Sequence, residues 1–420
     1  MNRGSATRLG KRVAQLDGEA SEEFGNQRKE SVSPPMNCHL GSDCASSRSG
    51  ITIARTSYLS SVSRYRLVVF LLLVVLAAVA MPGQSALASA AISAHLPTNS
   101  PVQIDQAEAG FVFANGQDLY LNGRKLTSYG ATIYPHVYLN GSLHYGSAWA
   151  YPTFTQYLDT ILTTATAAHL NTLRATNYLD GTSNPYDSTV WANMDYLLSR
   201  AASHNVFVIL DLSPFRNYLI RQGRMPYDAS RWTDFLDFVG ARYSTNPSLL
   251  EYSIAGEVSC PSGKDPLRPP STAALTQFYS SASSKLFSAD QGHHLISSGG
   301  FLFLNNSGCG IDWKSIFALS HINVSAIHVY SDNDRYITMP KVSSWSVSHR
   351  KPFVVEEFGF QQRNGDASRS SQFQDMYARS FHDNAACVIF WNLGFEVKAA
   401  SYDVNVDTPA TWSTVLQNAP

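Results

Sequence analysis

Polar and apolar positions fall into a repeating order from about residue 127 to residue 391, with short apolar runs alternating with longer amphipathic stretches. The apolar runs are Thr127–Ile133, Asn171–Ala175, Val206–Leu212, Leu250–Ile254, His294–Ser298, Val324–Val329, Phe353–Glu357 and Cys387–Trp391. Their length and β-branched content predict eight strands. Between most of them apolar residues recur at helical spacing, as in Thr153–His169, Ser188–His204, Ala229–Tyr243, Ser271–Ala289 and Ser370–Asn384. Strands separated by helices imply parallel pairing through right-handed crossovers, and eight of them predict an α/β fold, a closed (β/α)8 TIM barrel. The weakest unit lies between strands five and six, where Ile311–Leu319 must supply a short helix. Upstream, Phe111-Val-Phe and Leu119-Tyr-Leu, with Asn-Gly at 115–116 and 122–123, predict a short N-terminal β-hairpin. An open doubly wound sheet would carry a glycine-rich phosphate turn after its first strand, and Tyr129-Gly-Ala-Thr-Ile-Tyr has none.

The pattern changes before residue 105. Residues 1–64 are rich in Ser, Arg and Glu and show no period, which predicts a disordered extension. Arg64-Tyr-Arg66 then precedes an apolar run from Leu67 to Met81, followed by Pro82-Gly83 and small residues at 85–90. Fifteen apolar residues fall short of the roughly 20 that span a bilayer. Residues 65–90 therefore read as a signal peptide, with a membrane anchor as the alternative. Either way the rest of the chain is expected to be secreted or displayed outside. Residues 91–104 read as a linker and 105–420 as a single catalytic domain.

Charge sharpens this division. The 420 residues carry a formal net charge of −1, but 10 of the 31 basic and 6 of the 32 acidic residues fall in the first 66. The apolar segment has none, so the body from Ala91 holds 21 basic and 26 acidic side chains. A mildly acidic body suits a neutral partner and speaks against nucleic-acid binding. With 21 Tyr, 21 Phe and 7 Trp, it is also well supplied with flat apolar surface. Five cysteines without paired spacing, and no GxSxG or P-loop, leave zinc modules, serine hydrolases and NTPases without support.

In such a barrel the chemistry sits where the strands end. Here those ends carry Arg174 and Asn177 (strand two), Glu257 (strand four), His328 and Tyr330 (strand six), Glu356-Glu357 (strand seven) and Trp391-Asn392 (strand eight). Two separated carboxylates at one rim suit glycoside hydrolysis, in which one acid protonates the leaving oxygen and a second attacks the anomeric carbon. Arg174 beside Glu357 would favour its charged form, Tyr330 could donate to it, and Trp391 would offer a floor for a sugar ring. Alternation along a strand predicts that Glu357 faces the site and Glu356 faces away.

These residues resemble glycoside hydrolase family 5, the retaining (β/α)8 glycosidases, from about Gly110 to Trp391. Glu357-Phe-Gly, His328-Val-Tyr330, Arg174 and Trp391 fit the family pattern. Asn115-Gly-x-x-Leu-Tyr-Leu-Asn-Gly, Ile327-His-Val-Tyr-Ser-Asp332 and Gly256-Glu-Val-Ser-Cys260 are similar to segments of its endo-β-1,4-mannanases. The resemblance implies Glu257 as acid/base, Glu357 as nucleophile, Arg174, Asn177, His328, Tyr330 and Trp391 as substrate-binding residues, no metal and no cofactor. It also implies a monomer acting on a β-linked polysaccharide, with endo-β-1,4-glucanase as the alternative. Two departures stand out: Gly256 replaces the usual Asn before the acid/base, and strand three ends in Leu210-Asp-Leu-Ser213 where a His is common. They leave a non-catalytic carbohydrate-binding protein open, and they leave Asn177 or Asn392 to replace the lost hydrogen bond.

Several residues carry a second, packing-only reading. His328 could be a core histidine, Arg174 an ion pair with Asp211, and Trp391 plain core. Tyr134, Trp149, Tyr151 and Tyr178 could line sugar subsites or pack loops. Cys260 and Cys309 could form a disulfide, Cys387 reads as a buried free thiol, and His293-His294 lacks a third ligand at metal spacing.

Overall fold

The order of elements follows the predicted alternation. The computed structural model describes residues 110–135, 137–139, 142–145, 151–179, 184–301, 311–396 and 398–419. The segments 1–64, 65–90 and 91–104 lie outside the described residues, among which no helix is long and apolar enough to cross a membrane.

Strands β1 (Val112–Asn115), β2 (Asp118–Leu121) and β3 (Arg124–Leu126) form an antiparallel meander, so the predicted hairpin gains a third strand. Its second turn places Asn122 and Gly123 at φ 50° and 76°, the left-handed pair that a two-residue hairpin loop requires. Next come β4 (Ser128–Ile133), a small hairpin β5 (Val137–Leu139) and β6 (Ser142–His144), and then β7 (Thr172–Ala175) and β8 (Phe207–Asp211). The remaining strands are β9 (Leu249–Ser253), β10 (Leu295–Ser297), β11 (Ser325–Val329), β12 (Phe353–Phe358) and β13 (Ala385–Phe390).

The eight-stranded sheet runs β10-β9-β8-β7-β4-β13-β12-β11, with every pair parallel. A parallel bridge between Phe301 and Ile327 joins its two ends, so the sheet is a nearly closed (β/α)8 barrel. Each barrel strand lies within two residues of its predicted span. All their residues are buried except Phe207, as expected of strands filled on one face and covered by helices on the other.

The helices follow their caps and apolar faces. In Phe154–Ala167 the Thr153 side chain accepts from the Gln156 amide, and Phe154, Tyr157, Leu158, Ile161, Leu162 and Ala165 make one buried stripe. Ser188–Ser203 is capped by Asp187 and Thr272–Ala289 by Ser271. The predicted Ala229–Tyr243 helix is divided into a 3-10 turn, Ala229–Arg231, and an α-helix, Thr233–Tyr243. An additional helix, Ser213–Arg221, directly follows β8. The weak unit is as short as expected, Trp313–Phe317.

Inside the barrel, the meander residues Val112 and Leu119 pack with Ile209, Leu250, Leu295, Val324, Val354, Cys387 and Ile389. A much larger cluster fills the layer between strands and helices.

Candidate active site

Because the strands are parallel, their C-terminal ends meet at one rim. Arg174, on β7, is 1% exposed, and its guanidinium is the hub of the site. Nη1 donates to Glu357 Oε1 at 2.5 Å, Nη2 lies 2.9 Å from Asp211 Oδ2, and Nε lies 3.7 Å from Glu356 Oε2. Arg174 therefore pairs with Asp211 and with Glu357 at once. Asp211 is fixed in turn by the Thr176 hydroxyl (2.6 Å) and the Ser213 amide (2.9 Å).

The alternation argument fails at Glu356. Ile327 pairs with Val355, but His328 pairs with Glu357, so Glu356 is the extra residue of a β-bulge. A bulge breaks the two-residue period and re-aims side chains. Glu356 and Glu357 therefore both lie against Arg174 and His328 rather than on opposite faces. Glu356 Oε2 accepts from the Gly300 amide (2.7 Å) and faces His328 Nε2 (3.3 Å), while Oε1 accepts from the Ser297 hydroxyl (3.1 Å). Glu357 takes Arg174 on Oε1 and the Tyr330 hydroxyl on Oε2 (2.7 Å). A second irregularity, in which Val208 pairs with Leu249 and Ile209 with Glu251, puts Glu251 on the face of Ile209. No motif in the sequence marked Glu251 or Glu356 as part of this cluster.

Glu257 stands just past β9 in a left-handed conformation, φ 50°. Its amide donates to Gly300 O (2.8 Å), and Oε1 lies 2.9 Å from His328 Nδ1. The glycines around it are packed backbone to backbone. A Cβ on Gly299 would sit 2.2 Å from the Gly256 nitrogen, and one on Gly300 would sit 1.8 Å from the His328 ring. At Gly256 a Cβ would meet the Gly300 oxygen and nitrogen at 3.2 and 3.3 Å, so an asparagine there does not fit without a shift. The Gly256 amide instead donates to Ser213 Oγ (2.9 Å), and its carbonyl accepts from Arg216 Nη1. The two departures from the family pattern, at strands three and four, thus bond to each other. Sequence reasoning missed Arg216, whose only signal was its place on a helix that directly follows β8.

Electrostatics depart from expectation. Burial pushes the Glu357 carboxyl up to about 7 and the neighbouring Glu257 charge adds to this, despite the His328 and Arg174 charges and the Tyr330 hydrogen bond. Burial would also raise Glu257, but the His328 hydrogen bond and charge, with Arg216 and Arg174, hold it below the usual carboxylate range. Glu356 is brought down to about 2, because Arg174, His328 and the Gly300 amide outweigh burial. Burial alone would lower His328; the Glu357, Glu257 and Glu356 carboxylates raise it to about 10. Glu251 stays well above the normal range through burial and the Glu356 charge. His328 is thus held among three carboxylates rather than packed in an apolar core. Among the described residues, Glu257, His328 and Glu357 also form a potential metal-ligand group, their donor atoms all within 4.8 Å of one another. All three groups are already engaged with one another and with Arg174, Tyr330 and Glu356, so a cation would have to displace these contacts.

The remaining predicted residues divide. Trp391 is half-buried at the rim, with its ring edge-on to Tyr134 at 5.1 Å. A Cβ on Gly359 would come within 2.8 Å of the Trp391 carbonyl, which explains why Glu357-Phe needs the glycine that follows. Asn177 is exposed at φ 54°, hydrogen-bonded to neither carboxylate. Asn392 is buried, and its Nδ2 has no partner. Tyr178 packs on Trp191 in the core, and Tyr151 packs on Tyr157 and Phe395. Trp149 lies outside the described residues. Cys260 is disulfide-bonded, and Cys309 lies outside the described residues. Cys387 is a buried free thiol beside Ser128 (3.0 Å). His294 is bound by Asp290 (2.6 Å) and the Asn246 carbonyl (2.9 Å).

No protein-family model and no curated protein matches the sequence. Solved structures do match the fold. The endo-1,4-β-mannanase of Rhizomucor miehei superposes with a TM-score of 0.57 at 18% identity, over 74% of this chain and 99% of that one. A glycoside hydrolase family 5 mannosidase from the same organism gives 0.55 at 14% identity, over 74% and 97%. A hyperthermostable endocellulase gives 0.51 at 12%, over 75% and 100%. At these identities the likeness establishes the (β/α)8 fold.

Proposed function

We propose that the protein is a retaining β-glycoside hydrolase, secreted by way of residues 65–90, that cleaves β-1,4-mannan internally. The observation that carries this reading is the spacing of Glu257 and Glu357, whose facing oxygens lie within 4.8 Å. Retaining enzymes hold their carboxyls about 5–5.5 Å apart, whereas inverting enzymes leave about 6.5–9.5 Å for a water.

The two environments favour distinct roles. Glu357, its side chain 6% exposed, has donors on both oxygens and is fixed for attack. Glu257, its side chain 32% exposed, can meet the solvent water that completes turnover. Glu357 attacks the anomeric carbon; Glu257 protonates the leaving oxygen and then activates water. In the free protein burial raises the Glu357 carboxyl while His328 and the arginines lower that of Glu257, so bound substrate must reverse this order before attack. Their common neighbour His328 spans the two. Mannan is favoured by the mannanase-like segments and by the mannanases among the solved structures of this fold. The endocellulase of the same fold supports β-1,4-glucan as the second reading.

The test is incubation with β-1,4-mannan, β-1,4-glucan and xylan, reading new reducing ends and the anomeric configuration of the first product by proton NMR. Initial β-anomer from mannan is expected. Initial α-anomer would refute retention, and binding without any cleavage would leave a carbohydrate-binding protein.

A further inference from the structure

Glu356 is 0% exposed, yet it is tied into the site from several sides. The Gly300 amide and Ser297 hydroxyl fix one oxygen each, and Oε2 faces His328 Nε2 at 3.3 Å. On the other side of the same ring, Nδ1 lies 2.9 Å from Glu257 Oε1 and 3.4 Å from Glu357 Oε2. Gly300 leaves no space beside the ring, since a Cβ there would overlap it, and the His328 amide donates to Phe301 O at 3.2 Å.

We propose that Glu356 is a positioning residue, which holds His328 in one orientation as an imidazolium so that Nδ1–H bridges the two carboxylates of the site. Ionised carboxylates only accept, so a ring with one on each side must donate from both nitrogens. This inference deepens the hydrolase reading and rests on it for the roles of Glu257 and Glu357.

Every charged or titratable group around the ring fits this arrangement. Glu257 follows β9; Glu356 and Glu357 lie on β12; Arg174 reaches in from β7, and Tyr330 follows on the ring's own strand. Tyr134 acts electrostatically on Tyr330 and on Glu357 across the mouth, and Arg216 acts on Glu257. Beneath Glu356 stands Glu251, whose carboxyl is raised well above the usual range by burial and by the Glu356 charge. The donors gather on Glu356, next to the histidine, which favours the charge there. The bulge in β12 is what lets both carboxylates meet the ring, because a regular strand would have turned one of two adjacent side chains away.

The test is nitrogen-15 NMR of histidine-labelled protein, with His328 assigned by its absence in His328→Gln. In the unmodified protein both ring nitrogens of His328 are expected to stay protonated through pH 8. In Glu356→Gln its titration is expected to move down by at least one pH unit, with kcat falling more than tenfold and KM changing less than threefold. Glu356→Asp should recover part of both effects by restoring the charge. A neutral His328 at pH 7 in the unmodified protein overturns the proposal, even if Glu356→Gln does not fold. An unchanged His328 titration in folded Glu356→Gln overturns it as well. The NMR readout needs no substrate, so it stands apart from failure to cleave any polysaccharide.

Discussion

Toward the N-terminal ends of its strands the barrel is filled by aliphatic side chains, with Val112 and Leu119 of the meander set on Ile209, Leu250 and Leu295. Toward the C-terminal ends the same strands enclose Arg174, His328, Asp211, Glu356 and Glu357, all buried. Burial at the first end is favourable by about 25 cal/mol per Å² of apolar surface. At the second end burial is a cost, tolerated only because each charge meets an opposite one or a fixed hydrogen bond. A cluster that is expensive to bury and almost fully partnered is the physical mark of a site under functional constraint.

Four variants and one condition test this contrast, in order of expected effect. Glu357→Gln and Glu257→Gln should each lower turnover by at least about 1,000-fold, roughly 4 kcal/mol of barrel-mouth chemistry, with unchanged circular dichroism. Glu357 carries a folded-state pKa raised to about 7. Its contribution to stability is therefore present below about pH 4.3 and is lost as pH rises through 7. The melting temperature of Glu357→Gln should accordingly exceed that of the unmodified protein at pH 8. Leu250→Ala, at the apolar end, should cost about 2–5 kcal/mol in denaturant unfolding and leave kcat/KM at 25 °C unchanged. Gly256→Ala sits between the two regimes, because its Cβ would press on Gly300, which in turn abuts His328. It should cost about 1–3 kcal/mol of stability and lower turnover as well. The smallest change is with pH: kcat/KM should fall by half near pH 7 as the carboxyl pair loses its last proton. It should fall again on the acid side, below the depressed value of Glu257.

The contrast also separates what could be read from the sequence. Strands such as Val206–Leu212 were legible because a strand buried on both faces must be apolar along its length, and the helices Thr153–His169 and Ser188–His204 because their apolar residues recur at helical spacing. Arg174, Glu257, His328, Tyr330 and Glu357 were legible by resemblance, and the structure gathers them around one ring. Glu356 was not, because a bulge has no compositional signature and the two-residue period is the only rule available without it. Arg216 was not, since an arginine early in a helix is commonplace until the Gly256 carbonyl is found beside it. The proton distribution escaped too. A pairing of Arg174 with Glu357 suggested an ionised carboxylate, and only the depth of burial reverses the sign.

One feature of the closure has its own consequence. Among the described residues, seven neighbouring pairs in the sheet are joined by runs of paired residues, but β10 and β11 meet through the Phe301–Ile327 bridge, helped by Asn323, whose amide and side chain bond Ile296 at 2.8 Å each. A cylinder with one lightly stitched join relaxes there before it relaxes elsewhere, and amide hydrogen exchange should register Phe301 and His328 as faster than Ile209 or Val388. Both residues adjoin the ring that spans the carboxylates, Phe301 through Gly300 and His328 directly. The site is thus assembled beside this join, where the free energy of opening the wall is also the free energy of taking the site apart.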